Sequence, residues 1–356
     1  MDKEELARLV REGEAFDNQR FAGLDLAGAD LGGGIFSECS FEGCDLRGAK
    51  LREATFSDCD FGASRFDEGN LRHVILAKCR LRGASFVGAN LLGARVVECD
   101  LTEGDFTDID GTVSQFAQTT LSRARFTNAN LDRAALVDGP TDGIGFAGAR
   151  LEKTTLFRAD LRTAQLEGTR FFSTILVSAN LAGQALRGMD FTLVQFIDAD
   201  LAGCDFEGAK LVQTNFKGAN LEKANLSRAE AKNALFPYAK LKEAVMRDAN
   251  LFQTIFAEAD APSIDVRGSN LQMSIWQKAQ CTSARFDKTD LTYADFSHAD
   301  LTAADFSGAT MFRARLHKTV QKDTVFPLGK MTALGDDELL AEAEGWWERH
   351  KRSIED

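Results

Sequence analysis

The chain has 356 residues, a formal net charge of −12 and seven Cys. That balance is wrong for a protein that grips nucleic acid directly. The sequence has no apolar run long enough to span a membrane and no cleavable leader pattern, so a soluble, cytoplasmic protein is expected.

Residues 2–13 read as a short helix ending at Gly13, and 1–15 as an N-terminal capping segment. From Phe16 to Phe326 a bulky apolar residue then recurs at every fifth position, nearly always Leu or Phe, and most of the 27 Phe fall on this register. Thr141 and Gln321 are the polar exceptions, while Gly111, Ala231, Ala261 and Cys281 are merely small. On an α-helix a period of five spirals around every side, and on a flat strand it alternates faces. The chain must therefore turn between repeats so that each segment points its central residue inward. Two residues before each centre stands a small side chain, as at Ala29, Ala49, Ala84, Ala159 and Ala299. Residues two apart share a face of an extended segment, so small and large residues both point in. The other three point out or form the corner, where Gly is frequent.

The recurring Ala-Asp-Leu at 29–31, 159–161, 199–201 and 299–301, within an Ala-Asn/Asp-Leu/Phe-x-Gly pattern, resembles the pentapeptide repeat proteins over residues 16–330. The resemblance implies an all-β solenoid: a right-handed quadrilateral β-helix with four pentapeptides per coil. About 16 coils stacked at ~4.8 Å would make a rod about 75 Å long. Each coil would contact only its neighbours, so one repeat domain is expected despite the length. The opening Leu6-Ala7-Arg8-Leu9-Val10-Arg11-Glu12-Gly13-Glu14-Ala15 is also similar to pentapeptide segments of bacterial type VI secretion accessory proteins. That similarity implies an adaptor for effector loading or assembly.

With 20 residues per coil, Cys39, Cys59, Cys79 and Cys99 should stack as a ladder at the small inward position, joined by Cys44 and Cys204 elsewhere and by Cys281 at a centre. No Cys-x-x-Cys or His partner accompanies them, so they read as packing rather than metal ligands. His73, His298, His317 and His350 read as outward or helical residues far apart along the coil. No catalytic grouping, cofactor site or metal site is expected, and the Gly32-Gly33-Gly34 run lies at a corner rather than between a strand and a helix.

Sorting outward residues by coil position gives three polar walls and one apolar wall, centred on Phe36, Phe56, Leu76 and Val96. Its outward residues include Ile35, Thr55, Ile75, Val97, Val137, Phe157, Ile175, Val177, Ile197, Leu235, Ile255 and Ile275. The adjoining corner adds Leu92, Phe172, Val212, Phe252 and Phe312. β-branched residues suit any strand, yet the other walls lack this composition. A stripe of this kind predicts docking of a protein partner or self-association.

Some members of the resembled family bind type II topoisomerases by imitating DNA, which gives an alternative: a DNA-mimicking ligand of gyrase. The densest acidic run is Glu98, Asp100, Glu103, Asp105, Asp108 and Asp110. One coil away stand Lys78 and Arg80 on one side and Arg123 and Arg125 on the other, placed to neutralise it. Quinolone-resistance members also often carry loops that break the register, and none occurs here. A self-assembling structural rod is the third reading.

Gly139-Pro140-Thr141 predicts a bulge or kink, because Pro removes a ladder donor. Residues 331–356 predict a second helix from about Asp336 to Ile354, N-capped by Asp336 or Asp337, with Arg349, Lys351 and Arg352 in its last turns. Leu339, Leu340, Trp346 and Trp347 on it either cap the open coil end or form a dimer or partner contact.

Overall fold

The computed structural model describes residues 2–327 and 332–350, the last three as backbone only. The chain divides into two compact units, residues 1–182 with 190–199 and residues 183–189 with 200–356. Where each coil packs only on the next, either unit holds a core of its own.

In the first unit, helix α1 (Lys3–Arg11) is N-capped by Asp2, whose carboxylate accepts from the Glu5 amide at 2.9 Å. Its Leu6, Ala7 and Val10 are buried, and Lys3 reaches the Ala27 carbonyl at 3.2 Å. The chain then winds as a parallel coil. Eight three-residue strands stack in sequence order on one wall: β1 (Ala15–Asp17), β2 (Ile35–Ser37), β3 (Thr55–Ser57), β4 (Ile75–Ala77), β5 (Arg95–Val97), β6 (Gln115–Ala117), β7 (Ala135–Val137) and β8 (Thr155–Phe157). Every pairing advances by 20 residues, as Phe16↔Phe36 and Phe36↔Phe56 show. The remaining walls pair through single-residue bridges at the same interval, such as Asp45↔Arg65 and Asn70↔Asn90. In the second unit the bridges continue from Ala185↔Asp205 through Leu235↔Ile255 to Asp295↔Arg315, with a shortened last step at Arg315↔Leu334. A full-strand sheet therefore has eight rungs rather than the sixteen expected from repeat number, because later rungs on that wall shrink to bridges.

The period of five comes from the corners. Residues two beyond each centre are left-handed, glycine at Gly33 (φ 71°) but a charged residue at Glu53 (φ 61°). At most corners the next amide closes a turn, as Gly34 N–H donates to the Leu31 carbonyl at 3.1 Å. Outward Asp and Asn side chains brace these turns: the Gly62 amide donates to Asp60 at 3.0 Å and the Thr102 amide to Asp100 at 3.0 Å.

The inward centres stack as columns at the rise of the coil. Phe36–Phe56 and Phe41–Phe61 ring centroids are 4.9 and 4.8 Å apart, and Phe36 meets Phe41 edge-on at 5.3 Å. Parallel rungs are ~4.8 Å apart, so the backbone sets a spacing at which rings stack. The second unit repeats this with Phe216–Phe236–Phe256 and Trp276, whose indole N–H donates to Ser274 at 3.0 Å. Polar residues at small inward positions are satisfied by the coil before: Ser64 donates to the Phe41 carbonyl at 2.7 Å and Thr154 to that of Leu131 at 2.6 Å.

The cysteines expected as packing also bond. Cys39 Sγ donates toward the Ser37 carbonyl at 3.2 Å, and the Cys79 amide donates to Cys99 Sγ at 3.3 Å. All seven are buried thiols outside any disulfide. Burial pushes the Cys204 thiol up to about 12.

At Gly139-Pro140-Thr141 the 20-residue register holds on both sides, in Arg125↔Gly145 and Ala135↔Thr155. No residue is inserted. Thr141 Oγ1 accepts from the Asp160 amide at 2.8 Å and donates to its carbonyl at 3.0 Å, replacing the missing apolar centre. A Cβ at Gly139 would sit 1.9 Å from the Thr119 carbonyl oxygen, so the close approach needs glycine. What the irregularity leaves is a cavity of about 10 Å³ beside Phe116, Thr119, Leu136 and Phe157.

Candidate docking surfaces

The wall singled out by its outward apolar residues is the one that carries β1–β8. A column runs up its trailing edge: Val97, Ala117, Val137 and Phe157 pair in consecutive strands. It continues to Val177 and Ile197, whose carbonyls accept from the Arg158 and Ser178 amides at 3.1 and 2.9 Å. The Arg158 guanidinium lies 4.7 Å from the Phe157 ring centroid. Ile175 and Phe172, both exposed, belong to the same coil as Val177. The leading edge is less continuous. Ile35 is 53% exposed, but Ile75 stacks on Arg95, and Gln115 follows. In the second unit Leu235, Ile255 and Ile275 stack as consecutive bridges before Asp295 and Arg315 end the apolar run. Phe252, half-buried, is on the corner beside Ile255. The apolar outward residues, with Ala117 among them, thus form one six-rung column and one three-rung column, each in its own unit, while Ile35, Ile75 and Ile175 lie on the less continuous leading edge and Phe172 and Phe252 on the corner.

Phe312, named with the apolar corner, has a ring neighbour that was not singled out from the sequence. Tyr293 and Phe312 meet edge-on at 5.8 Å, with the Arg313 guanidinium 5.9 Å from the Tyr293 ring. Tyr293 and Arg313 fall at the corner position, where the repeat pattern predicts glycine or a polar residue, and only their stacking a coil apart makes them neighbours.

The acidic run is partly neutralised as expected. Arg123 pairs with Glu103 and Arg125 with Asp105, both at 2.7 Å. Bonds from Arg123, with Arg82 nearby, hold the Glu103 carboxyl below its ordinary range. Arg80, however, pairs with Asp60 at 2.9 Å rather than with Asp100. Asp265 shows the strongest pairing in the second unit: burial works to raise its carboxyl, but bonds from Arg267 and Arg247 carry it well below the carboxylate range.

Helix α2 (Glu338–His350) begins at Asp337, whose carboxylate accepts from the Leu340 amide at 3.0 Å. Ile354, Lys351 and Arg352 lie outside the described residues, as does the Arg349 side chain. Leu339 is 80% exposed, Leu340 43%, and Trp346 and Trp347 51% each. Leu339 leaves most of its surface outside and the other three about half, unlike the buried Leu6 and Val10 of α1. The expectation that the histidines lie far apart fails for one pair. His298 and His317 are 19 residues apart, nearly one coil, and their ring centroids are 5.4 Å apart. With Glu344 of α2 they form the one group of three potential metal ligands among the described residues, all within 4.8 Å. Sequence spacing could not reveal it, because it depends on α2 folding back along the coil.

No helix among the described residues is long and apolar enough to cross a membrane. No curated protein matches the chain in sequence. Among solved structures, a trypsin-treated form of QnrB1, a plasmid-mediated fluoroquinolone resistance protein, is 24% identical over 55% of this chain and 83% of its own, with a TM-score of 0.30. HetL, a pentapeptide repeat protein involved in heterocyst differentiation regulation in the cyanobacterium Nostoc sp. strain PCC 7120, is 23% identical over 85% of this chain and 96% of its own, with a TM-score of 0.18. Rfr23 of the cyanobacterium Cyanothece 51142 is 17% identical over 46% of this chain and 91% of its own, with a TM-score of 0.19. The family model for pentapeptide repeats matches in 8 copies at residues 25–62, 64–102, 174–211, 199–236 and 279–317, about half of the chain. With five-residue corners and 20-residue coils on both sides of those matches, the chain belongs to the pentapeptide repeat family.

Proposed function

We propose that this protein is a non-catalytic scaffold that docks a protein partner on the apolar columns of the β1–β8 wall and its counterpart in the second unit. The observation that carries this reading is the six-rung run Val97–Ala117–Val137–Phe157–Val177–Ile197, with Phe172 and Ile175 exposed on the same coil as Val177. Aligned apolar side chains on a rigid sheet are already ordered, so a partner loses little entropy from this side of the contact. The exposed Leu339, Leu340, Trp346 and Trp347 of α2 are a second candidate contact, to a partner or to another copy of the chain. The opening segment, similar to secretion accessory proteins, buries Leu6, Ala7 and Val10, which are therefore not offered to a partner.

The DNA-mimic alternative is weaker. The coil's acids are spent on turns and ion pairs, as at Asp60, Asp100, Glu103 and Asp105. QnrB1 is a fluoroquinolone resistance protein by name, so gyrase remains the control partner to test. Affinity purification should recover a partner with the wild-type chain and lose it with Ile175→Asp and Ile255→Asp combined, while circular dichroism is unchanged. Retention of the partner by that variant would remove these columns as the site. Inhibition of gyrase supercoiling by the purified protein would favour the alternative.

A further inference from the structure

Three side chains from the last coils of the second unit converge on one carboxylate of α2. His298 Nε2 lies 3.0 Å from Glu344 Oε1, and His317 Nε2 3.4 Å from Oε2. Lys318 Nζ lies 2.7 Å from Oε2. His317 and Ser297 hold outward positions of the docking wall, yet both are buried. Leu334, Gly335, Asp337 and Leu340 line a cavity of about 100 Å³ with them and with Arg315. The polar end of this wall is therefore covered by the chain's own C-terminal segment, through polar groups together with Leu334 and Leu340, while Leu339, Trp346 and Trp347 stay exposed.

The proton positions decide what the cluster is. The Asp337 amide donates to His317 Nδ1 at 3.1 Å, so that nitrogen carries no hydrogen and Nε2 does. A protonated Nε2 donates to Glu344 and cannot ligate a metal. The ammonium of Lys318, against the same carboxylate oxygen, would also repel a cation. Asp336 is turned away from Glu344: its carboxylate accepts from the Lys318 amide at 2.7 Å and lies 3.8 Å from His317 Nδ1. All three groups facing Glu344 are thus donors. The Lys318 bond, followed by those from the histidines, holds the Glu344 carboxyl down at about 2.

We propose that His298, His317 and Lys318 form a carboxylate-binding cradle, and that α2 is its tethered self-ligand, a strap that an acidic segment of a partner protein displaces. Glu344, His298 and Lys318 are each about a third exposed, so solvent and salt reach the cluster and screen it. What keeps the strap in place is the high effective concentration that its short connection to the coil provides. This assignment stands independently of the apolar columns, since its test involves only this chain and its own peptide.

The test uses the full chain and a fluorescent peptide of residues 336–350, with the same peptide carrying Glu344→Gln as control. The Glu344→Gln chain, its cradle vacated, should bind the wild-type peptide at least tenfold more tightly than the wild-type chain does. It should bind the control peptide at least tenfold less tightly. Adding Lys318→Ala to that chain should abolish binding. Amides of 338–347 should exchange at least tenfold faster in the Glu344→Gln chain, while coil amides between 279 and 317 keep their protection. Equal binding of both peptides, or unchanged exchange of α2, would overturn the cradle. Joint loss of coil protection would make α2 a structural cap instead, and zinc chloride slowing exchange of α2 in the wild-type chain would make the cluster a metal site.

Discussion

The same wall of the repeat is built in two ways, with three-residue strands up to Phe157 and single bridges from Ile175 onward. The register, inward centres and left-handed corner residues are common to both. What differs is the small inward residue just past the corner. In the earlier rungs it is Cys39, Cys59, Cys79, Cys99 or Thr119, and its thiol or hydroxyl donates to the carbonyl two residues back, at 3.2 Å for Cys39 and 3.0 Å for Thr119. The amide there bonds to the side chain of the next coil, as Cys79 does to Cys99 and Cys99 to Thr119. In the later rungs the residue is Ala179, Ala199 or Ala219, which offers no such acceptor. Its amide turns back to the carbonyl three residues before, at 3.4, 3.2 and 3.0 Å, and the corner closes. A buried amide must find a partner. On this wall, Cys or Thr at that position goes with an open corner and a strand, and Ala179, Ala199 and Ala219 go with a closed turn and a bridge. Gly139 and Ala159 keep the open corner without that side chain, continuing the geometry of the rung before.

If the regions differ only at this corner, their cores should respond alike. Phe36→Ala, between Phe16 and Phe56 on the strand rungs, and Phe236→Ala, between Phe216 and Phe256 on the bridge rungs, each remove the middle ring of a stack. Each should cost ~3–5 kcal/mol in urea denaturation. A difference of more than ~2 kcal/mol between them would mean that the corner type changes how the core relaxes around a cavity. The corner itself is tested by Cys79→Ala, which removes the thiol's bonds to the Phe56 and Ala77 carbonyls. A loss of ~1–3 kcal/mol is expected. Cys99→Thr, which copies the next rung at Thr119, should retain most of that stability, and equal losses for the two variants would show that packing alone matters there.

The coil was legible because period five excludes both regular elements and the small inward residues fix its phase. The apolar wall was legible for the same reason: a 20-residue coil turns sequence position into spatial column. Corner type was not, because Cys and Ala are alike as small inward residues, and Cys44 and Cys204 close the turn that Cys79 leaves open. Arg80 could not be placed either, since Asp60 and Asp100 lie one coil away on opposite sides and the 20-residue register does not choose between them. The cradle at Glu344 escaped for a different reason: α2 is outside the repeat, and no periodicity says where it folds back.

The second unit has a charged contact without an equal in the first. Asp265 is 7% exposed and held by Arg247 and Arg267 at 2.7 and 2.8 Å. Its folded carboxyl lies below the ordinary 3.8, so its contribution is complete above that value and is lost as pH falls below it toward the folded value. Wild type should therefore exceed Asp265→Asn in Tm most at neutral pH, with the gap closing below about pH 4. A gap that widens on acidification would mean that the pair is not what stabilises this coil.

The smallest effect belongs to the first unit's exposed pairs. Arg123 and Glu103 are both about half exposed, and their 2.7 Å contact links neighbouring coils. Water screens both charges, and ordering two long side chains offsets much of the attraction. Arg123→Ala should therefore barely move the urea midpoint, and less still in 1 M salt. Its larger consequence is electrostatic. Removing it leaves Glu103 with Arg82 at 3.5 Å as its remaining ion pair and uncovers part of the densest acidic run. If that run were a latent gyrase-binding surface, Arg123→Ala combined with Arg125→Ala would strengthen supercoiling inhibition while barely moving the urea midpoint. Under the scaffold reading both measurements stay where they were.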